Sequence, residues 1–354
     1  MKEHVVSKKN QLRSLLVIIA LMVITILVIF KDYSITEIIK VIKSIHPLYL
    51  IAGVGLMFLF AGCQALNFRL IMRALGSKAP MKYCIEYAYI GNYFGAITPG
   101  ASGGQPAQIY YMNKDKIHVD ISAITIFFMV FASQIVIVLM GGIFVITQKQ
   151  IFMKSEYWFP YLLFAGALVM IGLTIILCAL MFSKKVVPFL VNYALKLGEK
   201  LHWIKKPAIA KAKMDVLLIA YGDKAKLILK HPDLFVKVFI VTALQWISYC
   251  MVSYLVYLSF GYHQYNAFEL MTGQAFINIA VAAVPLPGSV GIAEKSFLNL
   301  YGQFYPVKDL PSAMILSRIT TFYLPLIISF LVYLLAHHRT GKVNRKSQDE
   351  SYNK

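Results

Sequence analysis

Acidic side chains are scarce in this chain: 16 Asp and Glu stand against 35 Lys and Arg in 354 residues. Charged residues of both signs make up only 14%, where a soluble domain has about 25%. That deficit excludes a soluble enzyme and a disordered polar chain. Cysteine is equally sparse. Cys63, Cys84, Cys178 and Cys250 stand singly, without CxxC or Cys/His spacing, so neither a metal site nor a disulfide framework is expected. They read as small apolar residues of a core. The eight histidines form no HxxxH pair and no P-loop occurs, so metal chemistry and ATP drive are not indicated. Asp115 and Asp120 lie beside His118 and read as solvated loop charges. No cofactor and no catalytic constellation are expected.

Apolar residues, by contrast, make up 59%, with mean hydropathy +0.67. They come in long blocks, and about 20 apolar residues suffice to cross a bilayer. Residues 12–30, 48–66, 121–147, 158–182, 235–260 and 312–336 meet that length, and 268–284 is a shorter block. The first follows Lys8, Lys9 and Arg13 and lacks a small-residue cleavage site, which predicts an uncleaved first span. Two further regions are apolar but broken, 83–112 at Pro99-Gly100 and 284–304 at Pro285, Pro287 and Gly288. The pattern predicts an all-α polytopic integral membrane protein. It has about eight transmembrane helices and one or two broken or re-entrant Pro-Gly segments.

The basic residues are concentrated. Residues 183–234 carry eleven lysines against four acids, and both chain ends are basic. By the positive-inside rule these segments, with Arg69, Arg73, Lys78 and Lys82, are expected on the cytoplasmic side. This makes a multi-pass membrane protein with both termini inside. The same rule and contact with anionic headgroups account for the charge without nucleic acid. The division is a membrane half 1–182, a basic amphipathic linker 183–234, a second membrane half 235–336 and a basic tail 337–354. In the linker, Leu190, Tyr193, Leu197 and Leu201 follow helical spacing, and a second helix is expected over 209–229.

The orientation is met if region 83–112 enters and returns to one side and 287–304 acts as a broken crossing, while periodicity leaves open whether both regions are hairpins or both cross. The two breaks resemble each other. Asn92 precedes Thr98-Pro99-Gly100, small residues through Gly103 and Gly104, then Gln105. Asn278 precedes Pro285, Pro287-Gly288 and Gly291, then Glu294. Unwound backbone inside a membrane must be buried in protein or line a wet cavity. Paired broken helices in two halves of a chain point to a transport site near the midplane. A half-helix restarting after each break would aim backbone N–H groups at an anion such as a lipid phosphate. The bland alternative is two kinks of no functional meaning.

Thr98-Pro99-Gly100 with Gly103-Gly104-Gln105-Pro106, Pro285-x-Pro287-Gly288-x-x-Gly291-x-x-Glu294, Ser317-Arg318 and Phe322-Tyr323-x-Pro325-Leu326 together resemble the lysylphosphatidylglycerol synthase transmembrane-region family. This is the flippase-like half of the bacterial multiple peptide resistance factor. The resemblance covers most of the chain and implies movement of lipids, including aminoacylated phosphatidylglycerol, between leaflets. Many members carry Glu at the position of Gln105 and Arg at that of Gln108. The two-part members make lysylphosphatidylglycerol with a cytoplasmic domain fed by lysyl-tRNA. Here about eighteen residues follow the last expected span, too few for a domain. Catalysis by this chain alone is therefore not expected.

A charge at mid-bilayer costs about 2.5–3.5 kcal/mol on insertion scales, so it faces a partner or a cavity. Glu294 and Arg318 are expected to pair, either structurally or as a gate. As a headgroup site, Arg318 would take phosphate and Glu294 a cationic aminoacyl group. Lys295 is expected to snorkel, and Gln64 and Asn67 to hold helices together. The expected path residues are Asn92, Thr98, Gln105, Gln108, Asn278, Glu294 and Arg318. Pro99, Gly100, Gly103, Gly104, Pro285, Pro287, Gly288 and Gly291 shape the breaks. The reading is translocation of anionic or aminoacylated phosphatidylglycerol or a related lipid. Membrane phospholipids are the partners, with a separate lipid-modifying enzyme as a further one. The alternatives are lysyl transfer together with such a partner, and secondary transport of a small anion.

Overall fold

A computed structural model describes residues 40, 43, 45–182 and 231–352. The expected first span 12–30 and the linker helices of 190–201 and 209–229 lie outside the described residues. Every regular element described is helical: α1 (Pro47–Ala74), α2 (Met81–Ile97), α3 (Gly104–Lys114), α4 (Val119–Thr147), α5 (Lys149–Met153), α6 (Trp158–Phe182), α7 (Pro232–Ser259), α8 (Ala267–Val281), α9 (Ile292–Tyr301), α10 (Leu310–Arg318) and α11 (Leu324–Tyr352). A π-helical turn, Ile319–Tyr323, joins α10 to α11, so Leu310–Thr340 runs as one apolar rod. That rod, α1, α4, α6 and α7 are five helices long and apolar enough to cross a membrane. They keep large apolar side chains on the outside, among them Ile146, Phe164, Ile240 and Leu335. In water that surface would drive aggregation, whereas in hydrocarbon it is solvated.

Ends of helices that share a cluster fix the direction of each. Ile71 and Leu75 near the end of α1, Ile124 near the start of α4, Leu177 near the end of α6 and Leu234 at the start of α7 form one buried cluster. Arg69, Arg73, Lys78, Lys82, Lys114 and Lys116 lie toward this end, here named the basic face. At the opposite face the His46 N–H donates to the Ser259 carbonyl at 2.9 Å, joining the start of α1 to the end of α7. The long helices therefore alternate in direction. Within the bundle, Asn67 donates to the Thr242 hydroxyl at 3.0 Å across α1 and α7, as expected of a helix-joining amide. Helices α6 and α8 meet backbone to backbone: a Cβ on Gly166 would lie 1.9 Å from the Ile279 carbonyl oxygen.

Both broken regions are hairpins. In the first, Gly95 faces Ala101 and Gly91 faces Gly104 and Gln108. The Tyr87 hydroxyl reaches Asp115 at 2.8 Å. These pairings run antiparallel, so the chain enters from the basic face and returns to it. In the second, Gly273 faces Tyr301, and the Tyr301 hydroxyl donates to the Leu270 carbonyl at 2.7 Å. Arms α8 and α9 thus enter from, and return to, the opposite face. Of the arrangements the sequence leaves open for 268–304, a short span with a broken crossing or a hairpin, the structure has the hairpin. The fragments are too short to cross alone, at 15 and 10 residues, and Tyr301 fastens one to the other. The run α1, first hairpin, α4 thus recurs inverted as α7, second hairpin, α10–α11, with α6 standing between the two runs. That is the repeat architecture of many membrane transporters.

Candidate functional site

The two hairpin tips have one backbone design. Pro99–Ala101 and Pro287–Ser289 each form a single 3-10 turn. Gly100 and Gly288 hold φ of 58° and 60°, followed by Ala101 at 56° and Ser289 at 52°. Proline presets the turn and glycine takes the left-handed position at least cost. The tips touch: a Cβ on Gly100 would meet the Pro285 Cβ at 3.7 Å. Two hairpins entering from opposite faces therefore meet inside the bundle.

Expected break residues satisfy the backbone they disrupt. Thr98 donates its hydroxyl to the Phe94 carbonyl at 2.6 Å and accepts from the Gly103 N–H at 2.8 Å. It belongs to the tip itself, and its side chain is not among those lining the cavity. The Gly291 N–H donates to Glu294 at 2.6 Å. The amide that opens each half-helix is thus already engaged, and an anion cannot rely on it. Gly104 and Gly91 allow close approach of the hairpin arms, since a Cβ on Gly104 would lie 2.8 Å from the Gly91 carbonyl oxygen.

Glu294 and Arg318 do pair, with Nε to Oε1 at 2.7 Å and side-chain exposures of 3% and 12%. The guanidinium also donates to the Gly288 carbonyl at 3.1 Å and lies 4.4 Å from the centre of the Phe322 ring. Arg318 thereby locks the second tip to the last span, at the start of the π-helical turn. Such turns recur at functional sites. Both Glu294 oxygens are engaged, one by Arg318 and one by Gly291. Glu294, expected to face a cationic headgroup, is not among the residues that line the cavity. Lys295 is exposed and lies over the Trp158 ring at 4.9 Å.

Beside the tips lies a cavity of about 690 Å³. Asn92, Gln105, Gln108, Asn278 and Arg318 line it, together with Gly100, Gly104 and Gly288. Those expected path residues are therefore brought to one wall, while Thr98 and Glu294 stand behind it. Sequence reasoning missed much of the remaining polar lining: Gln134 on α4, Gln245, Trp246 and Tyr249 on α7, and Gln274 on α8. Gln64 on α1, expected only as helix glue, also faces the cavity. The available signal was recurrent carboxamides inside apolar spans, which cost insertion energy unless they face polar company. Val169 and Leu173 of α6 border the same cavity and are 50% and 39% exposed on the outer surface. The cavity thus reaches the apolar perimeter of the bundle.

A second ionic centre stands at the basic face. Arg339 bridges Glu86 at 2.7 Å and Asp115 at 2.6 Å and lies 4.0 Å from the Tyr83 ring centre. Asp115 was expected among solvated loop charges; its side chain is 5% exposed and doubly engaged. Arg339 was expected in a basic tail; instead helix continuity carries it into the bundle, where it ties the last span to the first hairpin. At the opposite face Tyr262 donates to Asp309 at 2.5 Å. Burial, with Asp309 beside it, holds that phenol above its ordinary pKa and keeps it a donor. Cys63, Cys84 and Cys250 are buried and unbridged, and Cys178 is half-buried. Among the described residues no cluster of His, Cys, Asp and Glu could hold a metal ion.

The chain is similar to a UPF0104 membrane protein of Archaeoglobus fulgidus, with 25% identity over 306 residues, 84% of this chain and 89% of the relative. The model of the lysylphosphatidylglycerol synthase TM region matches residues 12–329, taking in both hairpins and the ion pair. With so much of its length matched, the chain belongs to the lysylphosphatidylglycerol synthase transmembrane-region family.

Proposed function

We propose that this protein moves phosphatidylglycerol or a related phospholipid between membrane leaflets, without covalent chemistry. The observation that carries the reading is the meeting of two inverted Pro-Gly hairpins beside a cavity that sets carboxamides and Arg318 within a largely apolar lining and reaches the lipid-facing perimeter. A lipid crossing a bilayer keeps its tails in hydrocarbon while its headgroup needs a polar route. A cavity bordered by exposed Val169 and Leu173 suits that division better than it suits a small water-soluble anion. Arg318 offers a guanidinium N–H for a phosphate. The inverted halves offer two arrangements of related stability, as alternating access requires. The basic face is assigned to the cytoplasm of a bacterial cell on its lysines and arginines.

The test is leaflet exchange of labelled phosphatidylglycerol by purified protein in liposomes. Exchange at least tenfold faster than in empty liposomes is expected. It should slow in an Asn92→Leu/Asn278→Leu variant, which keeps side-chain bulk but removes two polar groups from the wall. Folded protein that leaves exchange at the empty-liposome rate would overturn the proposal.

A further inference from the structure

The lining of the cavity has an unusual chemistry. Gln64, Gln105, Gln108, Gln134, Gln245 and Gln274 converge on it from five helices, and Asn92 and Asn278 add two more carboxamides. Among the described lining residues Arg318 is the one charged side chain. We propose that the cavity selects a polyhydroxylated headgroup bearing a single negative charge, as in an inositol- or glycosyl-type phospholipid, over an aminoacylated cationic one. The proposal rests on the translocation reading for its lipid and names the class of headgroup.

Hydrogen-bond inventory drives the choice. Each carboxamide offers two N–H donors and a carbonyl oxygen that accepts at two lone pairs. Phosphate oxygens only accept and an ammonium only donates, so either leaves half of such a wall unmatched. A hydroxyl both donates and accepts. Buried lining atoms still await partners among the described residues. Gln64 Oε1, Gln134 Oε1 and the Trp246 indole N–H are buried without hydrogen-bond partners, and each meets a ligand hydroxyl once its side chain turns toward the cavity. Two other lining amides are engaged within the wall, Gln108 donating to the Tyr87 carbonyl at 3.1 Å and Gln274 to the Tyr249 hydroxyl at 3.5 Å. A ring of hydroxyls can meet both unpartnered kinds at once.

Shape and charge agree. Phe60 packs 5.8 Å from Trp246 and 5.7 Å from Tyr249, forming an aromatic wall for the C–H face of a cyclic polyol. Volumes of about 300–1,000 Å³ suit ligands of that size, and this cavity has about 690 Å³. Arg318 lines the cavity as one half of its pair with Glu294, so a guanidinium N–H and not a net charge meets a phosphate. No carboxylate lines the described wall to receive a lysyl ammonium, because Glu294 is engaged by Arg318 and Gly291. A cationic headgroup would approach the guanidinium side of the Glu294–Arg318 pair with no carboxylate on the wall to receive it.

Full-length protein in liposomes is given labelled phosphatidylinositol, phosphatidic acid and lysylphosphatidylglycerol in parallel. Phosphatidylinositol should exchange at least tenfold faster than the other two, and a Gln64→Leu/Gln134→Leu variant should collapse that ratio toward one. Binding is read separately from transport through Trp246 fluorescence, in a Trp158→Phe/Trp203→Phe background. There inositol 1-phosphate should quench Trp246 saturably, at least tenfold more tightly than inorganic phosphate or lysine methyl ester. Lysylphosphatidylglycerol exchanging as fast as phosphatidylinositol refutes the headgroup assignment while leaving translocation intact. Inositol phosphate binding with no lipid exchange supports the assignment and refutes translocation. Equal binding of the three soluble probes overturns the assignment outright.

Discussion

Gly100 and Gly288 are equivalent positions of the two tips, with φ of 58° and 60°, yet their surroundings differ sharply. A Cβ on Gly100 would meet Pro285 at 3.7 Å, an ordinary contact. A Cβ on Gly288 would lie 2.3 Å from the Phe322 ring. Alanine at either position bears the left-handed backbone cost of about 1–2 kcal/mol. At Gly288 the Phe322 ring must also swing away. That adds about 0.5–1.5 kcal/mol for an off-rotamer side chain and about 0.5–2 kcal/mol for its contact with the Arg318 guanidinium. Gly100→Ala should therefore destabilise by about 1–2 kcal/mol and Gly288→Ala by about 2–5 kcal/mol. Thermal unfolding of detergent-purified protein, followed with a thiol-reactive dye on the buried cysteines, gives the ranking. A double-mutant cycle with Phe322→Ala isolates the clash: Gly288→Ala should cost about 1–3.5 kcal/mol less in that background, whereas Gly100→Ala should not change. Equal losses at the two glycines, or no coupling between 288 and 322, would refute the reasoning.

Glu294→Gln or Arg318→Gln alone leaves a buried charge without its partner, and each should destabilise by about 3–5 kcal/mol. The double variant should recover part of that in the same unfolding assay; a double variant no more stable than the worse single would mean that the two charges are not coupled. Orientation is tested with single cysteines replacing Lys116 and His263 in a background lacking the native cysteines. In intact cells an impermeant thiol reagent should label the second and not the first, and the reverse pattern would invert the assignment.

Much of this architecture is legible in the residues themselves. Apolar blocks of membrane length at 48–66, 121–147, 158–182, 235–260 and 312–336 foretell the five long helices, because hydrocarbon admits little else. Pro99-Gly100 and Pro287-Gly288 mark both breaks, since that pair sets a turn whatever surrounds it. The separation of Glu294 from Arg318 signals a pair, because two isolated mid-membrane charges of opposite sign seek each other. Only tertiary structure decides that 268–304 is a hairpin and not two crossings. Both paths return the chain to the same face, so loop charge is blind to the difference, and the contact of Tyr301 with Leu270 settles it. Tertiary structure alone likewise gathers Gln64, Gln134, Gln245 and Gln274 around one cavity, turns Glu294 behind its wall and draws Arg339 between Glu86 and Asp115. Local sequence fixes where a chain must be apolar and where it must bend. Which polar side chains face one another depends on packing between segments up to 253 residues apart, and no local preference encodes that.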